Sequence, residues 1–200
     1  MVQQDFNFYP GLFKRGKEYD TFVESVKNKN PIISDAQNHK VLKMIDSYKK
    51  LKPAAQLITG GFSEQTICGT LHDVLIKVRF DYINVDKGYI ADVKTTSYGS
   101  DIDSFKMTMD GLMYQLSAAL YCQMAEQYYG KPFDFYFVVL SKKDSTCNVY
   151  KTSAATMDSG KRIVLEACNK YKTAKETNNW TDQTVTATLV KDTDYEIQEV

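Results

Sequence analysis

Residues 71–95 read LHDVLIKVRFDYINVDKGYIADVKT, and the fold turns on how this stretch is divided. In 71–85 the even positions His72, Val74, Ile76, Val78, Phe80 and Tyr82 are largely apolar, while Asp73, Lys77, Arg79 and Asp81 are polar. Successive side chains of a strand point to opposite faces, so this alternation marks a long strand with one dry and one wet face. Asp86-Lys87 makes a turn. Residues 88–95 then alternate with reversed parity: Tyr89, Ala91 and Val93 are apolar, Asp92 and Lys94 polar. A two-residue turn, with Val85 opposite Gly88, puts both wet faces on one side of a hairpin. In that register Asp81 faces Asp92, with Cβ atoms about 4.5–5.5 Å apart. A three-residue loop with Gly88 as a bulge shifts the register by one and sends Asp81 among apolar side chains, so the two-residue turn is expected.

Two opposed carboxylates repel each other. A hard divalent cation removes the conflict, because magnesium is commonly held by one or two carboxylates plus waters and phosphates. Lys94 lies two residues beyond Asp92 on the same face. An ammonium there can steady an attacking water and the charge that develops on a phosphate. The same residues also make sense as a surface ion-pair cluster with Lys77 and Arg79, and spacing alone does not choose.

Outward from the hairpin, 62–67 reads as a short strand and Gly69-Thr70 as a turn. Further upstream, Ser34-Asp35-Ala36-Gln37 is a capping box opening a helix that carries Val41, Leu42, Met44, Ile45 and Tyr48 at helical spacing. Lys49, Lys50 and Lys52 suit its negative end, and Pro53 is expected to stop it. Residues 1–33 are aromatic-rich with Pro10, Gly11, Gly16 and Pro31 as breakers, and read as an irregular entry segment. Downstream, one long helix is expected over roughly 104–129, capped by Gly130. A largely apolar strand follows at 133–140, then a polar turn from Ser141 to Ser145, a strand at 146–152 and a helix over about 157–176. The order predicts an α/β fold in which helices flank a mixed, centrally antiparallel sheet. The domain is expected to span 34–180, with 181–200 an acidic, β-prone tail.

Composition bounds this reading. Hydrophobic residues make up 43% and charged residues 25% of the 200, an ordinary globular balance able to bury one core. No apolar run approaches the roughly 20 residues that cross a bilayer, and the N-terminus has no signal-peptide pattern. Cys68, Cys122, Cys147 and Cys168 form no C-x-x-C and have no histidine at zinc-finger spacing, so they read as reduced thiols. The 25 basic and 25 acidic residues cancel, which argues against a general nucleic-acid coat but allows a local basic channel beside an acidic site.

Asp81, followed by Ile90-Ala91-Asp92-Val93-Lys94-Thr95-Thr96, resembles the core motif of the PD-(D/E)xK nucleases. More narrowly, residues from about 34 to 180 resemble the phage and prophage exodeoxyribonuclease VIII (RecE-like) group. The pieces carrying that resemblance run in order: Leu51-Lys52-Pro53-Ala54-Ala55, Ser63-Glu64, Arg79-Phe80-Asp81, the D-x-K-T-T stretch, a Tyr/Gln-containing helix, Phe135-Tyr136-Phe137-Val138-Val139, and Trp180. The resemblance implies a restriction-endonuclease-like core and a Mg2+- or Mn2+-dependent deoxyribonuclease digesting from double-stranded DNA ends. Asp81, Asp92 and Glu64 would hold the metal, Val93 would lend its carbonyl, and Lys94 would assist the nucleophile. Gln115 and Tyr121 would steady the site or the DNA end. Their spacing departs from the usual glutamine–tyrosine pair, and an alternative face carries Tyr114, Ser117 and Tyr121. Lys142, Lys143, Lys161 and Arg162 would contact the DNA backbone. A single-strand annealing partner, assembly into a homo-oligomeric ring, and the cytoplasm of a bacterium or phage-infected host are implied in the same way.

Two departures stand out. Phe80 replaces the motif's proline, and the group's upstream G-T-x-x-H-type histidine has no counterpart in order. Gly69-Thr70-Leu71-His72 only echoes it, so His72 reads as an ordinary strand residue and His39 as a solvent-facing helix residue. These departures leave two rivals to the exonuclease: a catalytically reduced nuclease-fold module that binds DNA or protein, and a structure-specific endonuclease.

Overall fold

The computed structural model describes residues 6–180 and the backbone of 197–199. Ser34 caps the first long helix, α2 (Asp35–Lys50), as its sequence requires: its hydroxyl accepts the Gln37 N–H, and the Gln37 side chain accepts the Ser34 N–H. Pro53 does not simply stop this helix. It sits in the first turn of a second, α3 (Lys52–Leu57), where its missing N–H costs nothing.

The N-terminal segment is not irregular. It forms β1 (Asn7–Tyr9), α1 (Lys17–Ser25) and β2 (Ile32–Ser34), with β1 and β2 pairing in parallel. The Tyr9 ring packs on Tyr19 and Phe22 of α1, which is how an aromatic-rich stretch with breakers becomes ordered.

The main sheet has six strands in the order β3 (Phe62–Leu71), β4 (Val74–Asn84), β5 (Tyr89–Thr96), β6 (Asp134–Ser141), β7 (Cys147–Thr152) and β8 (Ile197–Glu199). Its central pair, β5 and β6, is parallel; the other pairs are antiparallel. The expectation of an antiparallel centre is thus corrected, because two helices rather than a tight turn join β5 to β6. The region 71–85 is not one strand either. His72 and Asp73 both have positive φ (50° and 63°) and form a two-residue turn closing Leu71 on Val74, so β3 runs through Gly69-Thr70. The expected long helix is broken at Met113 (φ 50°, ψ 45°) into α4 (Ile102–Leu112) and α5 (Tyr114–Tyr129).

The sheet is covered on both faces. Phe135, Phe137 and Val139 of β6 join Phe105 and Met109 of α4 and Ala118, Cys122 and Ala125 of α5 in one core. Val138 and Val149 pack on the other side with Tyr48 of α2, Ala54 and Leu57 of α3, and Leu51 between the two helices. The last helix, α6 (Ala154–Thr177), lies close against α5. A Cβ on Gly160 would come 2.1 Å from the Gln115 carbonyl oxygen and 2.7 Å from the Ala119 Cβ, so only glycine allows this approach. The fold is α/β, a mixed central sheet flanked by helices, consistent with a restriction-endonuclease-like core. Among the described residues no helix is long and apolar enough to cross a membrane.

Candidate active site

The hairpin of β4 and β5 sets the register. Asn84 pairs with Tyr89, Ile83 with Ile90 and Tyr82 with Ala91, and the pairing stops one residue short of Asp81 and Asp92. The connection is a four-residue turn, 85–88, rather than a two-residue one. It is closed by the Gly88 N–H donating to the Asn84 carbonyl at 2.9 Å, with Gly88 at φ 71°. Both connections share one pairing register.

The ladder ends at Tyr82 and Ala91, and a side chain takes over. The Val93 N–H donates to Asp81 Oδ2 at 2.8 Å, so Asp81 is fixed by the backbone of the strand that carries Asp92. The alternation of β4 also changes parity here. Ile76, Val78 and Phe80 face the α5 core, then Ile83 and Val85 do, while Tyr82 joins Tyr89 and Ala91 on the other side. Asp81 therefore does not simply continue the wet face of Lys77 and Arg79; the kink re-aims it.

On β5, Asp92 and Lys94 follow Ile90 at two-residue steps and project toward the α4–α5 side. Asp92 is only 3% exposed. Lys94 Nζ lies 2.5 Å from Asp92 Oδ2. At that distance the ammonium is the partner of this buried oxygen, and no other donor reaches it among the described residues. Nζ also sits 4.8 Å from the centre of the Tyr114 ring. Burial pushes the Asp92 carboxyl above its ordinary pKa, the Lys94 ammonium pulls it back, and the Asp81 charge adds to the rise.

Tyr121 belongs to the same neighbourhood. Its ring meets Phe80 edge-on at 5.5 Å, and its hydroxyl is held protonated above the usual range, first by burial and then by the Asp92 charge. Gln115 is buried, and its backbone carbonyl packs against Gly160 of α6. The Tyr114 ring lies against Lys94.

Glu64 stands beside Asp81 in register, bracketed by the Ser63–Tyr82 and Gln65–Phe80 pairs, at a kink where its own φ is 55°. Its carboxylate is turned to Arg79, 3.0 Å from Nε, with both side chains mostly exposed. Such surface pairs are worth at most about 1 kcal/mol, so the tie is weak. Among the described residues no group of three or more Asp, Glu, His or Cys side chains stands ready to hold a metal ion. Two carboxylates are nevertheless what magnesium often takes from a protein, the rest coming from water and phosphate. A buried Asp92 carboxylate, with Asp81 held on the backbone one residue along the same strand, is a donor set that fits a divalent cation.

The remaining predicted residues lie further out. Lys142 and Lys143 are exposed in the β6–β7 turn, and the Lys142 N–H donates to the Thr96 carbonyl at 2.7 Å, so this turn abuts the end of β5. Lys161 and Arg162 are exposed on α6, and Lys161 pairs with Asp158 at 3.4 Å. His39 is exposed and contacts the Asp35 carbonyl. His72 is a turn residue, not a strand residue. An open cleft of about 540 Å³ lined by Lys50, Asp101, Asp144 and Asn148, among others, includes none of the predicted site residues. Sequence reasoning missed the Arg79–Glu64 contact, signalled only by opposite charges on neighbouring strands. It also left the role of Tyr114 undecided between two helical faces.

A mixed six-stranded sheet that brings Asp81, Asp92 and Lys94 together at the end of its central hairpin defines a nuclease-superfamily fold of the PD-(D/E)xK-like type. The chain belongs to the family described as PDDEXK-like domain of unknown function (DUF3799), whose pattern matches residues 8–193. In three dimensions it is similar to the crystal structure of a "Putative exonuclease" from Eubacterium rectale, with a TM-score of 0.61 and 14% sequence identity. The match covers 80% of this chain and 62% of that one, so the chain spans less than two thirds of that protein, and the likeness is one of fold. No protein with a curated description matches the chain.

Proposed function

We propose that this domain takes a DNA phosphodiester at the Asp81–Asp92–Lys94 site and hydrolyses it with Mg2+ or Mn2+. The observation carrying the reading is the buried Asp92 carboxylate, met at Oδ2 by the Lys94 ammonium and set on the strand whose Val93 N–H holds Asp81. A bound divalent cation would supply a water of lowered pKa and charge stabilisation at the leaving oxygen. The protein's own contributions follow from its geometry. Asp81, pinned by the Val93 N–H, and buried Asp92 would hold the cation, with Glu64 able to swing from Arg79 as a third carboxylate and the Val93 carbonyl a further candidate. The Lys94 ammonium orients the nucleophile or a phosphate oxygen. Tyr121, kept protonated, remains an O–H donor at the edge of the site. Lys142 and Lys143, beside the end of β5, and Lys161 and Arg162 on α6 suit the flanking phosphates. Gln115 acts, on this reading, through the packing of α5 rather than at the phosphate. Digestion from duplex ends in the manner of the exodeoxyribonuclease VIII group, supply of single strands to an annealing protein, and a homo-oligomeric ring extend the same proposal.

A binding module on the same fold is favoured by a different observation. Lys94 already neutralises Asp92, Glu64 is turned to Arg79, and the described residues assemble no three-ligand cluster. The deciding experiment is digestion of linear and circular duplex DNA with Mg2+ or with EDTA, comparing the wild type with Lys94→Ala. Metal-dependent loss of linear DNA alone, abolished by the substitution, supports an exonuclease; cleaved circles indicate an endonuclease. DNA binding without cleavage overturns the hydrolytic reading in favour of the module.

A further inference from the structure

We propose that Tyr114 is a positioning residue for Lys94: its ring gives the ammonium a second seat when a divalent cation takes Asp92. The proposal rests on reading Asp81 and Asp92 as a cation site. In the structure Lys94 Nζ stands 2.5 Å from Asp92 Oδ2, in the space that a cation bound to this oxygen at about 2.1 Å would need. A cation taking that position would displace the ammonium, whose side chain is only 23% exposed, so leaving Asp92 strands a charge that water reaches poorly. The Tyr114 ring answers this. Its centre is 4.8 Å from Nζ, inside the range in which an aromatic face attracts an ammonium. The ring is also held in place. It packs on Phe105 and Phe137 at 6.2 and 5.9 Å, and the left-handed Met113 makes Tyr114 the first residue of α5, so its backbone is set by the helix break. The ammonium already touches both Asp92 and the fixed ring, so a cation that takes Asp92 would leave Lys94 its contact with Tyr114.

The test is calorimetric titration of the full chain with Mn2+, without DNA, for the wild type, Tyr114→Phe, Tyr114→Leu, Lys94→Met and the Lys94→Met/Tyr114→Leu double variant. Thermal melts of each variant monitor folding. Tyr114→Phe keeps the aromatic face and is expected to bind Mn2+ within about twofold of the wild type. Tyr114→Leu removes the second seat and should weaken Mn2+ binding by roughly three- to tenfold. Lys94→Met removes the competing ammonium and should bind more tightly than the wild type. Adding Tyr114→Leu to Lys94→Met should then change nothing, because there is no longer an ammonium to seat. Wild-type affinity in Tyr114→Leu overturns the proposal, and so does a loss that persists in the Lys94→Met background, which would mark Tyr114 as merely structural. A wild-type chain that takes up no Mn2+ overturns the cation-site reading itself and the proposal with it.

Discussion

Gly160→Ala tests the packing that holds the site's helix in place. In a helix interior the substitution should by itself stabilise, by about 1 kcal/mol, because alanine loses less chain entropy on folding than glycine. Here the added methyl would lie 2.1 Å from the Gln115 carbonyl oxygen and 2.7 Å from the Ala119 Cβ, against a backbone and a Cβ that no rotamer can move. Relief requires α5 and α6 to separate along their contact, and overpacking of this kind costs roughly 3 kcal/mol. The net expectation is a loss of about 2 kcal/mol, or a fall in Tm of about 4–8 °C for a chain of this size. Differential scanning calorimetry of the metal-free protein measures it directly. Because α5 also presents Tyr114 and Tyr121 to Asp92 and Lys94, the variant should lose Mn2+ affinity as well. A Tm that stays the same or rises, as helix propensity alone dictates, would refute the close α5–α6 approach and with it the placement of both tyrosines.

Three further outcomes follow from particular contacts. Ser34→Ala removes one half of the capping box of α2 and should cost about 1 kcal/mol, seen as a Tm lower by about 2–4 °C. Asp144 accepts hydrogen bonds from the Thr146 hydroxyl and N–H, which hold its carboxyl down to about 2. A folded-state pKa below the unfolded value stabilises above the ordinary carboxylate range and is lost as pH falls toward the folded value. Wild-type Tm should therefore drop faster than that of Asp144→Asn between about pH 4 and pH 2. Arg79→Ala frees Glu64 from an exposed partner, so it should change stability by less than about 1 kcal/mol while tightening Mn2+ binding, measured by melting and titration together.

The parts of the fold legible in the sequence are those written in local patterns. The capping box at Ser34, the pairing register of the 82–91 hairpin and the apolar run of β6 each follow from spacing within a few residues. What escaped reading depends on contacts distant in sequence or on backbone states that no residue type announces. His72-Asp73 forms a positive-φ turn without glycine, so β3 and β4 could not be divided correctly from composition. Met113 takes a left-handed conformation in the middle of a helical pattern. The aromatic N-terminus orders because Tyr9 finds α1 and because β1 pairs with β2, neither visible in the run itself. At the site, the D-x-K spacing shows that Asp92 and Lys94 share a face, and the hairpin places Asp81 near them. The kink that re-aims Asp81, its tether to the Val93 N–H, and the turn of Glu64 toward Arg79 are tertiary outcomes. The helix break at Met113 decides that Tyr114 reaches Lys94, and a helical periodicity that runs unbroken from 104 to 129 conceals it.

Crystals grown with Mn2+ and a short DNA duplex, mapped by anomalous scattering at the manganese edge, give the most direct answer. The account predicts a peak within about 2–2.3 Å of both an Asp81 and an Asp92 carboxylate oxygen, with the Lys94 ammonium displaced toward the Tyr114 ring. A map with no peak there, with Lys94 still seated on Asp92, would contradict it.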